Sequence, residues 1–216
     1  LLDGYRHQDD LDFEVIVADD GSTAEVRQVV ESYARHTPFP LTHLWHEDRG
    51  FRATVMRNRG LAATGADYVI YTDADCVPPR DFVRQHRRLA EPGYFLSGNR
   101  TLLSEPFTAR VLQQHLPLYD WGLPRWLGAW VKRDINRWLP LLRLPDGAWR
   151  RREPDRWKGV KTCNLSAWRK DLLAVNGFDE SYAGIWGLED SDLVIRLLHA
   201  GIKHKSARFA APVFHL

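Results

Sequence analysis

At 216 residues and 25.0 kDa the chain is long enough for one domain with a substantial core, and short for two. Its 44% hydrophobic and 27% charged residues exclude a disordered chain, and a formal net charge of +2 excludes a general nucleic-acid binder. Two cysteines far apart, each in an apolar segment, form neither a disulfide framework nor a zinc spacing and point to a reducing compartment, and no apolar run approaches the about 18 residues of a spanning helix.

The first predicted strand, Phe13 to Ala18, runs into the acidic turn Asp19-Asp20-Gly21-Ser22. Ser22 and Glu25 have the spacing of a capping box, and Val26, Val29, Val30 and Tyr33 follow at helical spacing. Asp19 or Asp20 is placed to accept a hydrogen bond from a nucleotide base or ribose, or else caps the helix. Leu41 to Trp45 reads as a second strand. The polar stretch from His46 to Arg52 then opens a helix through about Ala63, with Gly65 as its stop and Phe51, Val55, Met56 and Ala62 as its apolar stripe. Arg49, Arg52, Arg57 and Arg59 carry guanidinium groups that could meet a nucleotide or its phosphates bidentately.

The apolar run Val69-Ile70-Tyr71-Thr72 predicts a third, buried strand that ends in Asp73-Ala74-Asp75, and Pro78-Pro79 forbid its continuation. In an open α/β sheet, ligands bind at the carboxyl ends of strands. Two carboxylates this close repel each other unless a cation compensates them, and a hard divalent metal carrying phosphate oxygens explains the pair. The alternation of strand and helix over the first 80 residues implies parallel strands with right-handed crossovers. A helix from Asp81 to Leu89 and a strand from Tyr94 to Ser97 follow.

Between Trp121 and Lys161 lie six of the nine tryptophans, with eleven Lys or Arg against four Asp or Glu. Such interleaving suits an interfacial helix on an anionic membrane. It equally suits an insertion packed on the domain, with its tryptophans forming a satellite core or a lid over an acceptor.

Regular pattern resumes with a strand over Gly159–Ser166 and a helix from Arg169 to Val175, stopped by Asn176-Gly177. The loop Tyr182 to Leu188 delivers Glu189, Asp190 and Asp192 to the first turn of the next helix. They complement its dipole, or, with Trp186 and Gly187 as a sugar-stacking floor, they include a general base. Ala211 to His215 reads as a terminal strand. Its histidine is either structural or the further metal ligand that Asp73 and Asp75 lack.

Taken together, Asp19-Asp20-Gly21-Ser22, Arg57-Asn58-Arg59-Gly60-Leu61, Thr72-Asp73-Ala74-Asp75 and Trp186-Gly187-Leu188-Glu189-Asp190 resemble the GT-A fold nucleotide-sugar glycosyltransferases, most closely the inverting family 2. Asn164-Leu165-Ser166 through Asn176-Gly177-Phe178-Asp179-Glu180 looks like the carboxyl half of galactosyltransferase-like and chondroitin-polymerase-like members. The resemblance implies one α/β, Rossmann-like GT-A domain with a mostly parallel central sheet. A nucleotide-sugar half would cover residues 1–103, a Trp/Arg-rich helical insertion 104–158, and an acceptor and catalytic half 159–216.

It also implies roles. Asp19 or Asp20, with Arg52 or Arg57, would hold the base, and Asp73 would contact ribose or metal. Asp75 would bind Mn²⁺ or Mg²⁺, with His215 completing the metal shell. Asp190 would be the catalytic base, and Glu189, Trp186 and Gly187 would place the acceptor. The implied reaction moves a sugar, with inversion, from a UDP-linked or other nucleoside-diphosphate donor to a saccharide or glycolipid hydroxyl. The implied setting is bacterial polysaccharide or lipopolysaccharide synthesis in the cytoplasm, at the inner face of the plasma membrane.

Relatives of this kind begin with a strand ending in Pro-x-Tyr-Asn, which would precede Leu1: either that strand lies upstream in a longer protein or the nucleotide pocket is incomplete. Three competing readings are weaker. Asp73-Ala74-Asp75-Cys76-Val77 fits a haloacid-dehalogenase-type phosphohydrolase, but that motif belongs on a first strand. A dinucleotide-binding dehydrogenase lacks its Gly-x-Gly-x-x-Gly. A non-catalytic sugar-binding module would need neither Asp75 nor Asp190.

Overall fold

The computed structural model describes residues 1–216. A short helix, α1 (Leu2–Arg6), precedes a parallel pair formed by β1 (Val15–Asp19) and β2 (Leu41–Trp45), joined through α2 (Ala24–Ala34). Helix α3 (Ala53–Ala63) returns across β1 and leads into β3 (Tyr68–Tyr71). The two-residue strand β4 (Cys76–Val77), helix α4 (Phe82–Leu89), and strands β5 (Tyr94–Ser97) and β6 (Arg100–Leu102) follow. Then come α5 (Glu105–Gln114) and α6 (Leu123–Val131), and after a stretch of short 3₁₀ turns β7 (Leu165–Trp168), α7 (Arg169–Ala174) and α8 (Glu189–His199). Strands β8 (Lys203–Ser206) and β9 (Val213–His215) complete the order.

The α/β architecture expected from the alternation is present, but the pairing is mixed. β1 with β2, β5 with β8 and β6 with β9 run parallel. β7, from the second half of the chain, inserts antiparallel between β3 and β5, giving the order β3-β7-β5-β8. A strand donated from so far along the chain leaves no local signal of its direction.

Alternate side chains of these strands feed two cores, as a period of two requires. Ile70 and Leu96 face a cluster with Tyr5, Phe39, Phe82 and Leu89, while Tyr71, Phe95 and Leu165 face one with Leu172, Phe178, Leu193 and Leu197. Both faces are covered, which is why the strands read as near-continuous apolar runs.

A third cluster answers the question posed by the tryptophans. Trp126, Phe107, Val111, Leu118, Ala129 and Ile135 bury against Val77 of β4 and Phe214 of β9. Trp126 is 2% exposed and stacks on Phe214, with ring centroids 4.1 Å apart at 21°. The insertion therefore forms a satellite core. No helix is long and apolar enough to cross a membrane.

Several local expectations shift. Helix α2 starts at Ala24 with Thr23 at its N-cap rather than Ser22, because the Ser22 N–H donates to Asp19 Oδ1 and keeps Ser22 in the preceding turn. Of its apolar stripe only Val30 is buried; Val26 and Val29 are exposed. Helix α3 stops at Thr64, whose extended backbone turns the chain away, and Gly65 is not needed in a left-handed conformation. Leu61, rather than Ala62, supplies its last buried contact. The strand expected from Gly159 begins only at Leu165, after a 3₁₀ turn over Thr162–Asn164.

Candidate active site

After β3 the chain turns tightly, with the Cys76 N–H donating to the Asp73 carbonyl, and re-enters a ladder as β4. Its antiparallel partner is β9, which sets Cys76 opposite His215 and Val77 opposite Phe214. The Leu216 N–H donates to the Asp75 carbonyl at 3.0 Å, and His215 Nε2 lies 3.4 Å from Asp75 Oδ2. Asp75 Oδ, Cys76 Sγ and His215 Nε2 form a donor group with all separations within 4.8 Å. A carboxylate and an imidazole converging at a half-open edge are chemically suited to a divalent transition metal. Of the three expected metal ligands, the fold thus brings together Asp75 and His215.

Asp73 goes elsewhere. Its Oδ1 accepts a hydrogen bond from Arg57 Nη2 at 3.2 Å. Burial raises the Asp73 carboxyl above its ordinary range, Arg57 opposes that shift, and the nearby Asp75 and Asp190 charges add to it.

Arg57 is the hub of the site. Besides Asp73, its Nη1 lies 3.7 Å from both Glu189 Oε1 and Asp190 Oδ1. The guanidinium rests over Phe178 at 5.2 Å, and Phe178 meets Tyr71 edge-on at 5.3 Å. Arg57 Nη1 and the Tyr71 hydroxyl are both buried without a hydrogen-bond partner. Unsatisfied donors of this kind are costly in a finished core and common where a ligand completes the network.

Glu189 and Asp190 occupy the first turn of α8, where the helix dipole favours negative charge. Glu189 Oε2 accepts from the Gly187 N–H at 2.8 Å, pinning the loop beneath the exposed Trp186. Gly187 has φ +100°, a conformation that a residue with a Cβ rarely adopts. Asp190 Oδ1 accepts from the buried Thr162 hydroxyl, and Lys161 Nζ stands 4.0 Å from Oδ2. One carboxylate oxygen is thereby fixed and the other faces a cation at the edge of the site.

The acidic turn after β1 is built for rigidity. Asp19 is almost fully buried and accepts from the Ser22 N–H and from His43, each at 2.8 Å. Burial works to raise its carboxyl, and the Ser22 and His43 hydrogen bonds overcome this and hold it below the ordinary value. Asp20, a quarter exposed at its side chain, bonds His46 Nε2 through Oδ1 and the Arg52 N–H through Oδ2, both at 2.6 Å. Arg52 therefore meets Asp20 through its backbone. Gly21, at φ +88°, allows the turn to touch Asp48, where an added Cβ would lie 2.5 Å from the Asp48 Cα. Neither Asp19 nor Asp20 caps α2.

Thr162, Lys161, Cys76, His43 and His46 were not singled out from sequence. The first two lie in the stretch expected to be a strand from Gly159, where nothing local marks them as site residues. Cys76 was visible only as a neighbour of Asp75, and the histidines act through cross-strand and loop contacts that spacing does not encode.

The sequence profile described as glycosyl transferase family 2 matches residues 1–150, and one described as the N-terminal domain of galactosyltransferase matches residues 150–216. The chain is 30% identical over 206 residues to validoxylamine A glucosyltransferase of Streptomyces hygroscopicus subsp. jinggangensis (strain 5008), covering 88% of this chain and 45% of that protein. It is 27% identical over 217 residues to chondroitin synthase of Pasteurella multocida (strain Pm70), covering 88% and 20%. The chain thus spans less than half the length of these relatives. Among solved structures, S. aureus TarS 1-349 in complex with UDP-GlcNAc superimposes with a TM-score of 0.61 at 14% identity, over 100% of this chain and 54% of that one. The mannosyltransferase PcManGT from Pyrobaculum calidifontis, in complex with GDP-Man and Mn²⁺, does so with a TM-score of 0.61 at 20% identity, over 99% and 51%. The fold is GT-A.

Proposed function

The chain belongs to glycosyl transferase family 2, and from that premise we propose that it carries the catalytic domain of a metal-dependent, inverting glycosyltransferase using a nucleoside-diphosphate sugar, UDP-linked, and a saccharide or glycolipid hydroxyl as acceptor. The observation that carries the reading is the convergence of Asp75, His215, Asp73, Arg57, Glu189 and Asp190, from four separate segments (the turn after β3, then β9, α3 and α8), at the carboxyl end of β3. A phosphohydrolase with Asp73 as nucleophile would carry it after the first strand, whereas β1, α2, β2 and α3 all precede β3 here.

Asp190 is the general base. Thr162 fixes Oδ1, leaving Oδ2 to take the proton of the acceptor hydroxyl as that oxygen attacks the anomeric carbon opposite the departing diphosphate. Arg57, preorganised by Asp73 and the α8 carboxylates and carrying an unused N–H, meets negative charge developing on the leaving group. Asp75 and His215 would hold a divalent ion, which supplies Lewis-acid neutralisation of the diphosphate when bound. Glu189 sets the Gly187 turn, and the exposed Trp186 offers a stacking face for the acceptor sugar. The Asp19–Asp20 turn shapes the wall against which the base of the nucleotide is held. TarS with UDP-GlcNAc and PcManGT with GDP-Man and Mn²⁺ support a nucleotide-sugar donor and a metal.

The outer face of the insertion supports peripheral attachment to an anionic membrane, in keeping with a role at the inner face of a bacterial plasma membrane in polysaccharide or lipopolysaccharide synthesis. Trp130, Val131 and Leu139 are exposed there beside Lys132, Arg133 and Arg137. The functional test is a panel of nucleotide sugars incubated with Mn²⁺ or with chelator. Release of nucleoside diphosphate from one donor, lost with chelator, is expected; no release from any donor, with or without acceptor saccharides, contradicts the reading.

A further inference from the structure

The β4–β9 ladder brings a donor to the ion site that the two aspartates do not account for. Cys76 and His215 are direct cross-strand partners, so their side chains leave the same face of the ladder, with Cβ atoms about 4.5–5.5 Å apart in such pairs. Cys76 Sγ lies 3.6 Å from Asp75 Oδ1, on the other side of the carboxylate from His215 Nε2 at 3.4 Å from Oδ2. The second carboxylate of the motif, Asp73, is meanwhile taken up by Arg57. The donor set that folds together is therefore oxygen, nitrogen and sulfur. Core packing accounts for a small side chain at position 76, which is fully buried beside Cys163. It does not account for three donors of different chemistry meeting within 4.8 Å.

We propose that Cys76 Sγ is a third protein ligand, with Asp75 and His215, to a divalent cation, and that its sulfur makes the site select a borderline ion such as Co²⁺ or Zn²⁺ over Mg²⁺. The inference rests on reading Asp75 and His215 as metal ligands. Mg²⁺ demands near-octahedral oxygen ligands and gives up water reluctantly, whereas imidazole and thiolate suit the softer ions. On coordination a sulfur–metal bond forms and the thiol proton leaves to solvent. Cys163 is buried in the same apolar cluster and is the only other thiol of the chain.

Cobalt is the probe, because Co²⁺–thiolate bonds give a charge-transfer band in the near ultraviolet that carboxylate and imidazole do not. The chain has only two cysteines, so the band has at most two sources. Co²⁺ is titrated into the protein with and without UDP, following absorbance and calorimetric binding together. The band is expected in the wild type and in Cys163→Ser, and absent in Cys76→Ser and in Asp75→Ala. Co²⁺ affinity in Cys76→Ser should fall by at least about tenfold, the scale on which even outer-shell partners act. Calorimetric Co²⁺ binding without a band in the wild type overturns the sulfur ligand and leaves the Asp75–His215 reading standing. A band lost in Cys163→Ser but kept in Cys76→Ser overturns it in favour of the other thiol. No Co²⁺ binding with or without UDP overturns both. Should Cys76→Ser not fold, a wild-type band that persists in Cys163→Ser and disappears in Asp75→Ala still decides for Cys76.

Discussion

Arg57 Nη1 lies 3.7 Å from Asp190 Oδ1, so the helix after β2 reaches the first turn of α8, across more than half of the sequence. The same guanidinium donates to Asp73. One rigid, planar cation thus couples the strand that ends in the aspartate motif to the carboxylate assigned as base.

Arg57→Lys is expected to fold, since the charge is kept, but a compact ammonium cannot serve Asp73 and Asp190 from two separate nitrogens. The rate should fall by about 10²-fold, the smaller end of the cost of removing one preorganised electrostatic donor. Steady-state kinetics on the active donor checks this, and a wild-type rate removes Arg57 from the chemistry.

The insertion should act on the site through packing. Trp126→Ala removes a buried ring stacked on Phe214, whose neighbour His215 faces Asp75, and should cost about 3–5 kcal/mol in urea unfolding. Mn²⁺ affinity should weaken with it. Trp130→Ala, at a 44% exposed position, should stay within about 0.5 kcal/mol of wild type.

That contrast shows what sequence could and could not reveal. The strands at Leu41–Trp45 and Tyr94–Ser97, and the helix opening on Glu189-Asp190, were legible because an apolar run or an acidic first turn is a local signal. The direction of β7, the pairing of Asp73 with Arg57, and the Thr162–Asp190 bond were not, because each depends on a partner remote in the chain. The tryptophans fitted two readings from sequence because periodicity cannot say which face meets the domain; Trp126 does and Trp130 does not.

The outer face should sediment with vesicles containing phosphatidylserine at low salt and be released at high salt, and not with neutral vesicles. Val131→Asp, at a 74% exposed position, should abolish sedimentation without changing stability. Equal sedimentation with both lipids would overturn the electrostatic part.

His86 makes the fold acid-sensitive. It is fully buried, bonded to Ser166 and Asn164, and burial lowers its pKa from 6.5 to about 4, with the Asn164 bond opposing. The unfolded chain binds the extra proton first as pH falls below 6.5. Stability is therefore full above that value and is lost as pH falls through about 4, by about 3 kcal/mol over the window. Urea unfolding of the wild type minus that of His86→Gln, measured from pH 7 to 4, should show this slope; parallel curves would contradict it.

Asp190→Asn separates donor binding from proton removal at the acceptor. The amide keeps the shape beside Thr162 and cannot take a proton. Binding of the active nucleotide sugar with Mn²⁺, by calorimetry, should stay within a few-fold of wild type, while transfer to acceptor falls by about 10²–10⁴-fold. A variant that binds donor and transfers sugar at the wild-type rate would show that Asp190 is not the base.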